Sequence, residues 1–291
     1  MQRPPCRSSR LCVALPASLL SEAPGLREKT LKAGLVGRAC VIFRVDEVVV
    51  YKDVEGCEED AELLVELLNY MCCPQYLRKL VYPLKPSLRY VGTLPPLRTP
   101  NHPLESRVED LPSSSFREGL VIECRRGVLR IEAGLGRLIE VEGRARVGER
   151  VVLELRKMGK GRLKAKVIDR EQVPYYFGFT AKLDLRTLSQ VVASLRGSGY
   201  DFVLATSRLG RPLNEALGYL RKRLKADTLI LYGSPREGLA EILRREGLSL
   251  NDIAELTINF IPHQGVETVR TEEALMASLA VVNMLTNRAA R

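Results

Sequence analysis

Two stretches near the carboxyl terminus combine glycine, proline and polar residues after apolar runs. Leu229–Leu239 reads LILYGSPREGL, and Asn259–Ala274 reads NFIPHQGVETVRTEEA. Gly233 and Gly238 in the first stretch let a ligand approach the backbone closely, and exposed backbone amides can bind adenine or carboxylate groups. The second stretch is the most distinctive in the chain. Both are candidate ligand-binding loops.

The first stretch also has a structural explanation that needs no ligand. Ser234 as N-cap, Pro235 at the first helical position and Glu237 three residues after the cap match a capping box, which predicts a helix starting at Pro235. On these residues alone, ligand binding and helix capping explain the turn equally well. Thr271 similarly predicts the cap of a final helix whose first turn carries two glutamates.

Common catalytic signatures are missing from the sequence. There is no Walker A loop and no GxGxxG fingerprint, which disfavours kinases, NTPases and ordinary dehydrogenases. There is no GxSxG motif, and a hydrolase would need His102 or His263 as its base, neither of which lies in a recognisable setting. Seven cysteines without a CxxC pair, together with two histidines, make a zinc site an unlikely choice, so we expect no bound metal.

Composition and charge describe a globular chain with an anionic partner. The 291 residues are 45% hydrophobic, which is enough for one large core or two smaller ones. No apolar run reaches the roughly 20 residues that a membrane span requires. Lys and Arg number 45 against 35 Asp and Glu, and the net charge of +10 makes an anionic partner such as nucleic acid or a membrane surface worth testing.

The amino terminus imitates a secretory signal peptide. Three arginines precede the apolar stretch Leu11–Leu20, but Pro16 and Ser18 interrupt it and no small-residue cleavage site follows. A buried opening strand at Leu11–Leu15 explains the same residues. We therefore expect a cytoplasmic protein.

Strand and helix patterns alternate at both ends of the chain. The first ninety residues predict a strand near residues 10–15, a long strand at Ala39–Tyr51, and a helix that starts near Glu58 and ends at Pro74. After residue 173 the pattern predicts a parallel sheet, with ligands binding beyond the carboxyl ends of its strands. The predicted elements are Phe202–Thr206, Asn214–Lys222, Thr228–Tyr232, Leu239–Arg245, Leu256–Ile261 and Thr271–Leu285, and the loops to inspect are Ser207–Arg211, Gly233–Gly238 and Pro262–Arg270.

The middle of the chain predicts a small basic barrel. Residues 117–172 hold 15 Arg and Lys against 9 Asp and Glu. They show five short strands, namely Leu120–Cys124, Val128–Glu132, Arg137–Val141, Val151–Leu155 and Leu163–Val167. A hairpin tip at residues 158–162 is either a phosphate-binding element or simply a solvated turn. The candidate RNA-binding residues are Lys157, Lys160, Arg162, Lys164 and Lys166.

These motifs resemble the SPOUT class of RNA methyltransferases. Asn259–Ala274 and the turn at Gly233 are similar to its carboxyl-terminal signature, in which loops of a trefoil-knotted sheet bind S-adenosylmethionine. Val45–Glu47, Pro74–Lys79 and Leu94–Leu97 are similar to the archaeal and eukaryotic subgroup with an inserted OB-like barrel. The resemblance implies an α/β fold with a trefoil-knotted, mostly parallel sheet and a small all-β insertion.

The resemblance also implies the domain bounds and the site. Residues 1–92 and 173–291 would form the methyltransferase domain, 93–116 a Pro-rich connection, and 117–172 the RNA-binding barrel. Arg270 would hold RNA or stabilise a developing anion, and Glu273 or Glu237 would act as base. The implied cofactor residues are Thr206, Ser207, Gly233, Ser234, Gly238, Ile261, Pro262, Gln264, Gly265, Thr268 and Val269.

The leading hypothesis is an S-adenosylmethionine-dependent RNA methyltransferase that acts on a base nitrogen or ribose oxygen of structured RNA, either ribosomal or transfer RNA. The resemblance also implies a homodimer. Two alternatives stay open. One is a non-catalytic RNA-binding or assembly protein that retains the fold, and the other is a methyltransferase that acts on protein.

Overall fold

The computed structural model describes residues 3–158 and 162–286. Its strands are β1 (Leu11–Pro16), β2 (Glu47–Lys52), β3 (Ser114–Arg125), β4 (Val128–Glu132), β5 (Ile139–Glu142), β6 (Arg150–Lys157), β7 (Leu163–Ile168), β8 (Thr180–Thr187), β9 (Phe202–Pro212), β10 (Thr228–Leu231) and β11 (Leu256–Asn259). Its helices are α1 (Leu26–Ile42), α2 (Glu58–Cys72), α3 (Gln75–Val81), α4 (Leu188–Gly197), α5 (Leu213–Arg223), α6 (Leu239–Arg245), α7 (Leu250–Ile253) and α8 (Thr271–Thr286).

The chain divides into two compact units. One, the barrel unit, contains Tyr70–Lys85 and Pro96–Gly178. The other, the sheet unit, contains Arg7–Asn69, Pro86–Pro95 and the chain from Phe179 onward. The Pro-rich segment thus contributes residues to both units, and the end of α2 belongs with the barrel. Among the described residues, no helix is long and apolar enough to cross a membrane.

The sheet unit is built on six parallel strands in the order β11-β9-β10-β1-β2-β8. All six residues of Leu11–Pro16 are buried, because β1 lies inside the sheet between β10 and β2. This confirms the predicted opening strand. Strands covered on both faces read as continuous apolar runs, and β10, with the sequence TLIL, follows the same rule. The α/β class with its parallel sheet is confirmed, while the trefoil knot stays a prediction.

The prediction of a long strand at Ala39–Tyr51 is wrong in its first part. Residues 39–42 end α1, and the strand begins only at Glu47. Helix α1 buries residues around much of its circumference and contains Gly34 and Gly37, so it shows no single apolar stripe. A Cβ on Gly34 would lie 2.8 Å from Pro95 Cδ, which shows how closely this helix is packed. The helix was missed for these reasons.

The sequence patterns also did not predict the edge strand β8. Strand β8 has the sequence TAKLDLRT, in which charged residues alternate with apolar ones, and most of its residues are exposed or half-buried. It occupies the edge beside β2, where one side of the backbone ladder is open. Helix α4 follows it directly and begins with a capping box formed by Thr187 and Gln190.

The barrel unit contains five antiparallel strands in the order β5-β4-β3-β6-β7. The two end strands of this order, β5 and β7, lie in contact, so the sheet is nearly closed. All five predicted strands are present. Strand β3 begins at Ser114, six residues before the predicted start, and Leu129, Ile131 and Leu153 fill the core that the strands enclose.

A buried carboxylate stabilises the inside of the barrel unit. Glu118 is 2% exposed and contacts the guanidinium groups of Arg150 and Arg170 and, at 3.2 Å, the amide of Asn101. Buried charges are stable only when they are paired and hydrogen-bonded in this way. Glu118 lies in a run of five buried residues of β3, and nothing in the sequence around it predicts this role.

Residues 99–102 bind the carboxyl end of α2. Asn101 Nδ2 donates to the carbonyl of Cys72 at 2.8 Å, and His102 Nε2 lies 2.9 Å from the carbonyl of Met71. These carbonyls belong to the last turn of the helix, where intrahelical donors are missing. His102 is therefore a structural residue of the loop.

Candidate functional site

A cavity of about 410 Å³ lies in the sheet unit at the carboxyl ends of β10 and β11 and beside the second half of β9. This is the edge at which parallel sheets bind ligands, and the volume is typical of small-molecule sites. The lining comes from the three loops that the sequence pointed to and from α6 and α8. Its residues are Thr206, Ser207, Arg208, Leu209, Tyr232, Gly233, Ser234, Pro235, Arg236, Glu237, Gly238, Glu241, Ile258, Asn259, Phe260, Ile261, Gln264, Glu267, Thr268, Val269, Thr271, Ala274 and Ser278.

Most of the residues implied as cofactor-binding meet at this cavity. Nine of the eleven line it, namely Thr206, Ser207, Gly233, Ser234, Gly238, Ile261, Gln264, Thr268 and Val269. Pro262 and Gly265 do not line it, and both are exposed. A Cβ on Gly265 would meet no atom within 4 Å, so a side chain there would point into open space.

The turn after β10 forms one wall of the cavity. The Ser234 N–H donates to the carbonyl of Glu237 at 2.9 Å, and the Glu237 N–H donates back to Ser234 Oγ at 3.0 Å. A Cβ on Gly233 would lie 3.0 Å from Glu237 O and 3.2 Å from Gly238 Cα. This tight turn therefore requires glycine, and its wall is bare backbone.

The helix predicted to start at Pro235 starts instead at Leu239, with Gly238 as N-cap. The Ser234 hydroxyl does accept a backbone N–H three residues later, but it closes an isolated turn. Gly238 then adopts an extended conformation (φ −73°, ψ 168°), which begins a new helix after the turn. The capping-box interpretation is thus wrong about the helix.

The start of α8 is joined to the same turn. Thr271 is the first residue of α8, and its hydroxyl donates to the carbonyl of Gly233 at 3.1 Å instead of capping its own helix. The backbone N–H of Arg270 is bound by the Glu273 carboxylate at 2.9 Å. The N-cap predicted at Thr271 is therefore wrong by one position, and its hydroxyl instead fixes the cavity wall.

The bulged part of β9 and the segment that ends β11 and follows it bind each other. Asn259 Nδ2 donates to the carbonyl of Arg208 at 2.9 Å, and Arg208 Nη1 donates to the carbonyl of Glu267 at 3.1 Å. Gln264 Nε2 donates to the carbonyls of Val266 and Glu267 at 2.9 and 3.0 Å. Side-chain groups that bind backbone carbonyls in this way define the shape of the loops.

Only one of the three predicted catalytic residues lies at the cavity. Glu237 lines it and forms an ion pair with Arg245. Arg270 and Glu273 are exposed, do not line the cavity, and are bound to each other through the backbone of Arg270 and the carboxylate of Glu273. Two acidic residues of the lining, Glu241 and Glu267, were missed, because no motif in the sequence marks them.

The predicted RNA-binding residues of the barrel differ in their availability. The Lys157 ammonium donates to the backbone carbonyls of Glu109 and Leu111, so it is committed inside the barrel unit. Lys164 and Lys166 are exposed on β7, between residues that pack onto the barrel core. Arg162 is also exposed, and Lys160 lies outside the described residues.

The lining of the cavity contains groups that S-adenosylmethionine requires. Glu241 and Glu267 supply negative charge for the sulfonium and ammonium groups of that molecule, and Arg208 and Arg236 supply positive charge for its carboxylate. Phe260 and Val269 supply apolar surface for a planar adenine ring. The bare turn at Gly233 leaves room for a ligand against the backbone, so these residues would hold the cofactor.

This chain is similar to known proteins, including relatives from an archaeon and from a mammal. An uncharacterized protein of Halobacterium salinarum is 34% identical over 94% of this chain and 98% of its own length. The 28S rRNA (uridine-N(3))-methyltransferase of Mus musculus is 31% identical over 95% of this chain and 76% of its length. The match to the crystal structure of the SpoU methyltransferase AviRb from Streptomyces viridochromogenes in complex with AdoMet covers 97% of this chain and 60% of that chain, at 12% identity and a TM-score of 0.38.

A family model described as "Putative RNA methyltransferase" matches residues 10–282, which include both units and every loop of the cavity. The match confirms the RNA methyltransferase expected from the sequence, and S-adenosylmethionine is the methyl donor that this activity uses. The chain belongs to this family of RNA methyltransferases.

Proposed function

We propose that this chain methylates N3 of a uridine in large-subunit ribosomal RNA, with S-adenosylmethionine bound in the cavity of the sheet unit. The mouse relative, 31% identical over 95% of this chain, is named for that reaction. The observation that carries the cofactor site is the assembly of nine implied cofactor residues from three separate segments around one cavity, and the acceptor is inferred from the name of the mouse relative.

The reaction needs alignment and a proton acceptor. S-adenosylmethionine supplies an activated methyl group when bound. The N3 nitrogen of uridine carries a proton, so forming the N3–CH₃ bond breaks the S–CH₃ bond, releases a thioether and sends the N3 proton to a base. The loops that line the cavity bring the two reactants together, which is a large part of what such a site contributes to the rate.

Glu237 is the residue we assign as proton acceptor. Glu237 and Glu273 were the two predicted bases, and of these Glu237 lines the cavity. The Arg245 guanidinium forms an ion pair with the Glu237 carboxylate and holds it in place. Glu273 is excluded from this role because its carboxylate binds the N–H of Arg270 at the start of α8. Arg270 is exposed beside the third loop and stays a predicted RNA contact.

The exposed basic residues of the barrel unit would bind the RNA backbone. Lys164 and Lys166 project from one face of β7, and Arg162 precedes them. Clustered cations bind phosphates and release counterions, which makes the affinity fall with salt. The barrel is thus proposed to recruit the RNA, while the sheet unit carries out the transfer.

We also propose that the chain forms a homodimer through α1 and α8. Leu31, Leu35 and Ile42 of α1 are 41%, 54% and 46% exposed and recur at helical spacing. Met276 and Met284 of α8 are 36% and 64% exposed, and the two helices pack against each other. Exposed apolar surface of this kind is typical of an interface, and a second copy would bury it symmetrically.

The dimer is tested by light scattering after size-exclusion chromatography. Leu35→Glu places a charge in the exposed apolar face and should give a monomer, whereas Leu84→Glu, at a leucine that is fully exposed in the barrel unit, should leave the mass unchanged. A monomeric unmodified protein at micromolar concentration would contradict the proposed dimer.

The activity is tested with an unmodified transcript of large-subunit ribosomal RNA and S-adenosylmethionine labelled in the methyl group. Methylation at N3 blocks the pairing edge of uridine, so reverse transcription should stop at the modified base. Gly233→Ala should weaken cofactor binding measured by calorimetry, because its Cβ would crowd Glu237 O. Gly92→Ala is the matched control, since a Cβ there meets no atom within 4 Å.

Cofactor binding without transfer to any uridine would contradict the proposed acceptor and favour the non-catalytic alternative. A labelled methyl group on the ribose, or on a base that does not stop reverse transcription, would also contradict methylation at N3 of uridine. Equal binding by the Gly233→Ala and Gly92→Ala variants would place the cofactor elsewhere.

A further inference from the structure

Leu209 lies at the mouth of the cavity with its side chain mostly in solvent. It lines the cavity and is 86% exposed. A leucine in this position gives up the stabilisation that burial would provide. Exposed apolar side chains beside a cavity are characteristic of a surface that another molecule covers.

The strand that carries Leu209 leaves its ladder at this point. Strands β9 and β11 pair Ala205 with Thr257 and then Arg211 with Ile258, so residues 206–210 of β9 bulge out between two consecutive pairs. Bulges re-aim side chains next to binding sites. Leu209 therefore points away from the sheet because of how the two strands pair.

The bulge is rigidly anchored on both sides of Leu209. Ser207 Oγ accepts the Leu209 N–H at 3.2 Å, and Asn259 Nδ2 binds the carbonyl of Arg208 at 2.9 Å. A Cβ on Gly210 would lie 2.8 Å from the carbonyl carbon of Ile258, so the backbone passes β11 in direct contact. The Leu209 side chain is thus preorganised, and binding requires no rearrangement of the backbone that carries it.

Two cations flank this leucine. Arg208 and Arg211 are both exposed, and Arg208 is oriented by its bond to the carbonyl of Glu267. Arg211 forms an exposed ion pair with Glu215 at 3.9 Å, which is weak enough for a phosphate to replace. An apolar surface between two positive charges matches a nucleotide, whose base is apolar on its faces and whose phosphates lie on either side.

We propose that Leu209 is the platform on which the acceptor base of the RNA packs as it enters the cavity. The face of the base would cover the exposed side chain, while its pairing edge would face the cavity, and Arg208 and Arg211 would bind the adjacent phosphates. This inference rests on the proposed function for the identity of the base. Contact between Leu209 and the cofactor is the alternative, and the experiment separates the two.

The test compares Leu209→Ser with Leu209→Met, which keeps the apolar surface, and with Leu84→Ser as a control at an exposed leucine of the barrel unit. S-adenosylmethionine binding is measured by calorimetry without RNA. Transfer to the unmodified ribosomal RNA transcript is measured in single turnovers at saturating cofactor. Binding of a labelled 12-nucleotide oligouridine is measured by fluorescence anisotropy with S-adenosylhomocysteine present.

Leu209→Ser should lower kcat/KM for the transcript about 10-fold to 100-fold and weaken oligouridine binding about fivefold or more, because the apolar contact with the face of the base is lost. Cofactor affinity should stay within twofold of the unmodified protein, and Leu209→Met and Leu84→Ser should behave like it. These results would support the platform.

Loss of cofactor affinity in Leu209→Ser would overturn the proposal and assign the leucine to the cofactor. Unchanged oligouridine binding in that variant would overturn it as well. If the unmodified protein methylates no uridine of the transcript but Leu209→Ser still weakens oligouridine binding, the proposed acceptor fails and the platform stands.

Discussion

Acidification should destabilise the barrel unit through His102. This side chain is 8% exposed, and burial, followed by the positive charge of Arg78, lowers its pKa from 6.5 to about 4. Its Nε2 lies 2.9 Å from the carbonyl of Met71 and must donate there, and its Nδ1 lies 2.8 Å from Thr99 Oγ1. The folded protein therefore keeps the imidazole neutral, whereas the unfolded chain protonates it below about pH 6.5.

The size of the effect follows from the two pKa values. Between pH 6.5 and pH 4 the unfolded state binds one more proton than the folded state, so the free energy of unfolding falls as pH falls. The full difference between pKa 6.5 and about 4 corresponds to about 3 kcal/mol, of which about 2 kcal/mol is already lost at pH 5. Above about pH 7 the contribution is fully present.

Two measurements check this. The sequence contains two histidines, so the ring signals in an NMR titration are few, and His263→Gln assigns the one that remains to His102. The His102 signal should shift only near pH 4. Urea unfolding at pH 7.5 and pH 5.0 gives the free energy of unfolding at each pH. The decrease in this free energy from pH 7.5 to pH 5.0 should be about 2 kcal/mol smaller in His102→Leu than in the unmodified protein.

A His102 ring that titrates near pH 6.5 in the folded protein would contradict the lowered pKa. Equal losses of stability in His102→Leu and the unmodified protein between the two pH values would contradict the contribution of His102 to acid destabilisation. His263→Gln, at an exposed position, is the control for replacing a histidine and should keep the full pH dependence.

Three other outcomes follow from single contacts. Glu237→Gln should lower kcat about 100-fold or more while cofactor binding persists, which single-turnover transfer and calorimetry would measure. Replacing Lys164 and Lys166 with glutamine should reduce the slope of log affinity for RNA against log salt concentration by up to about two. An unchanged slope would contradict phosphate contacts at β7. Glu118→Ala should cost about 3–5 kcal/mol in urea unfolding, because two guanidinium groups lose their buried partner, whereas Glu140→Ala at an exposed position should cost little.

The parts of the fold that follow from local patterns were predictable. Strand β4 has the predicted bounds Val128–Glu132, and α6 has the bounds Leu239–Arg245 that its helical pattern predicted, although the capping-box interpretation placed the helix start at Pro235. Both are short elements with regular periodicity and glycine next to one end. Helix α1 lacked such a pattern, because it is buried around most of its surface and its periodicity is lost.

The loops of the site were predictable as segments, but their internal contacts were not. The resemblance brought the three loops together, and nine implied residues do meet at one cavity. The bond from Thr271 to Gly233 and the bulge at residues 206–210 depend on how distant segments pass each other. Glu241 reaches the cavity for the same reason, since nothing in its neighbourhood along the chain distinguishes it from other helical glutamates.

The cavity and the RNA surface should respond differently to solution conditions, because different forces build them. The bonds from Thr271 to Gly233, from Asn259 to Arg208 and from Gln264 to Glu267 all join neutral side-chain groups to backbone carbonyls. Salt screens such bonds little, so the cavity should keep its shape and its cofactor affinity across ionic strengths. The exposed cations of β7 bind by charge alone, and their contribution should disappear in high salt. A salt concentration that abolishes RNA binding should therefore leave cofactor binding intact, and parallel loss of both would show that the cofactor is held chiefly by the carboxylates of the lining.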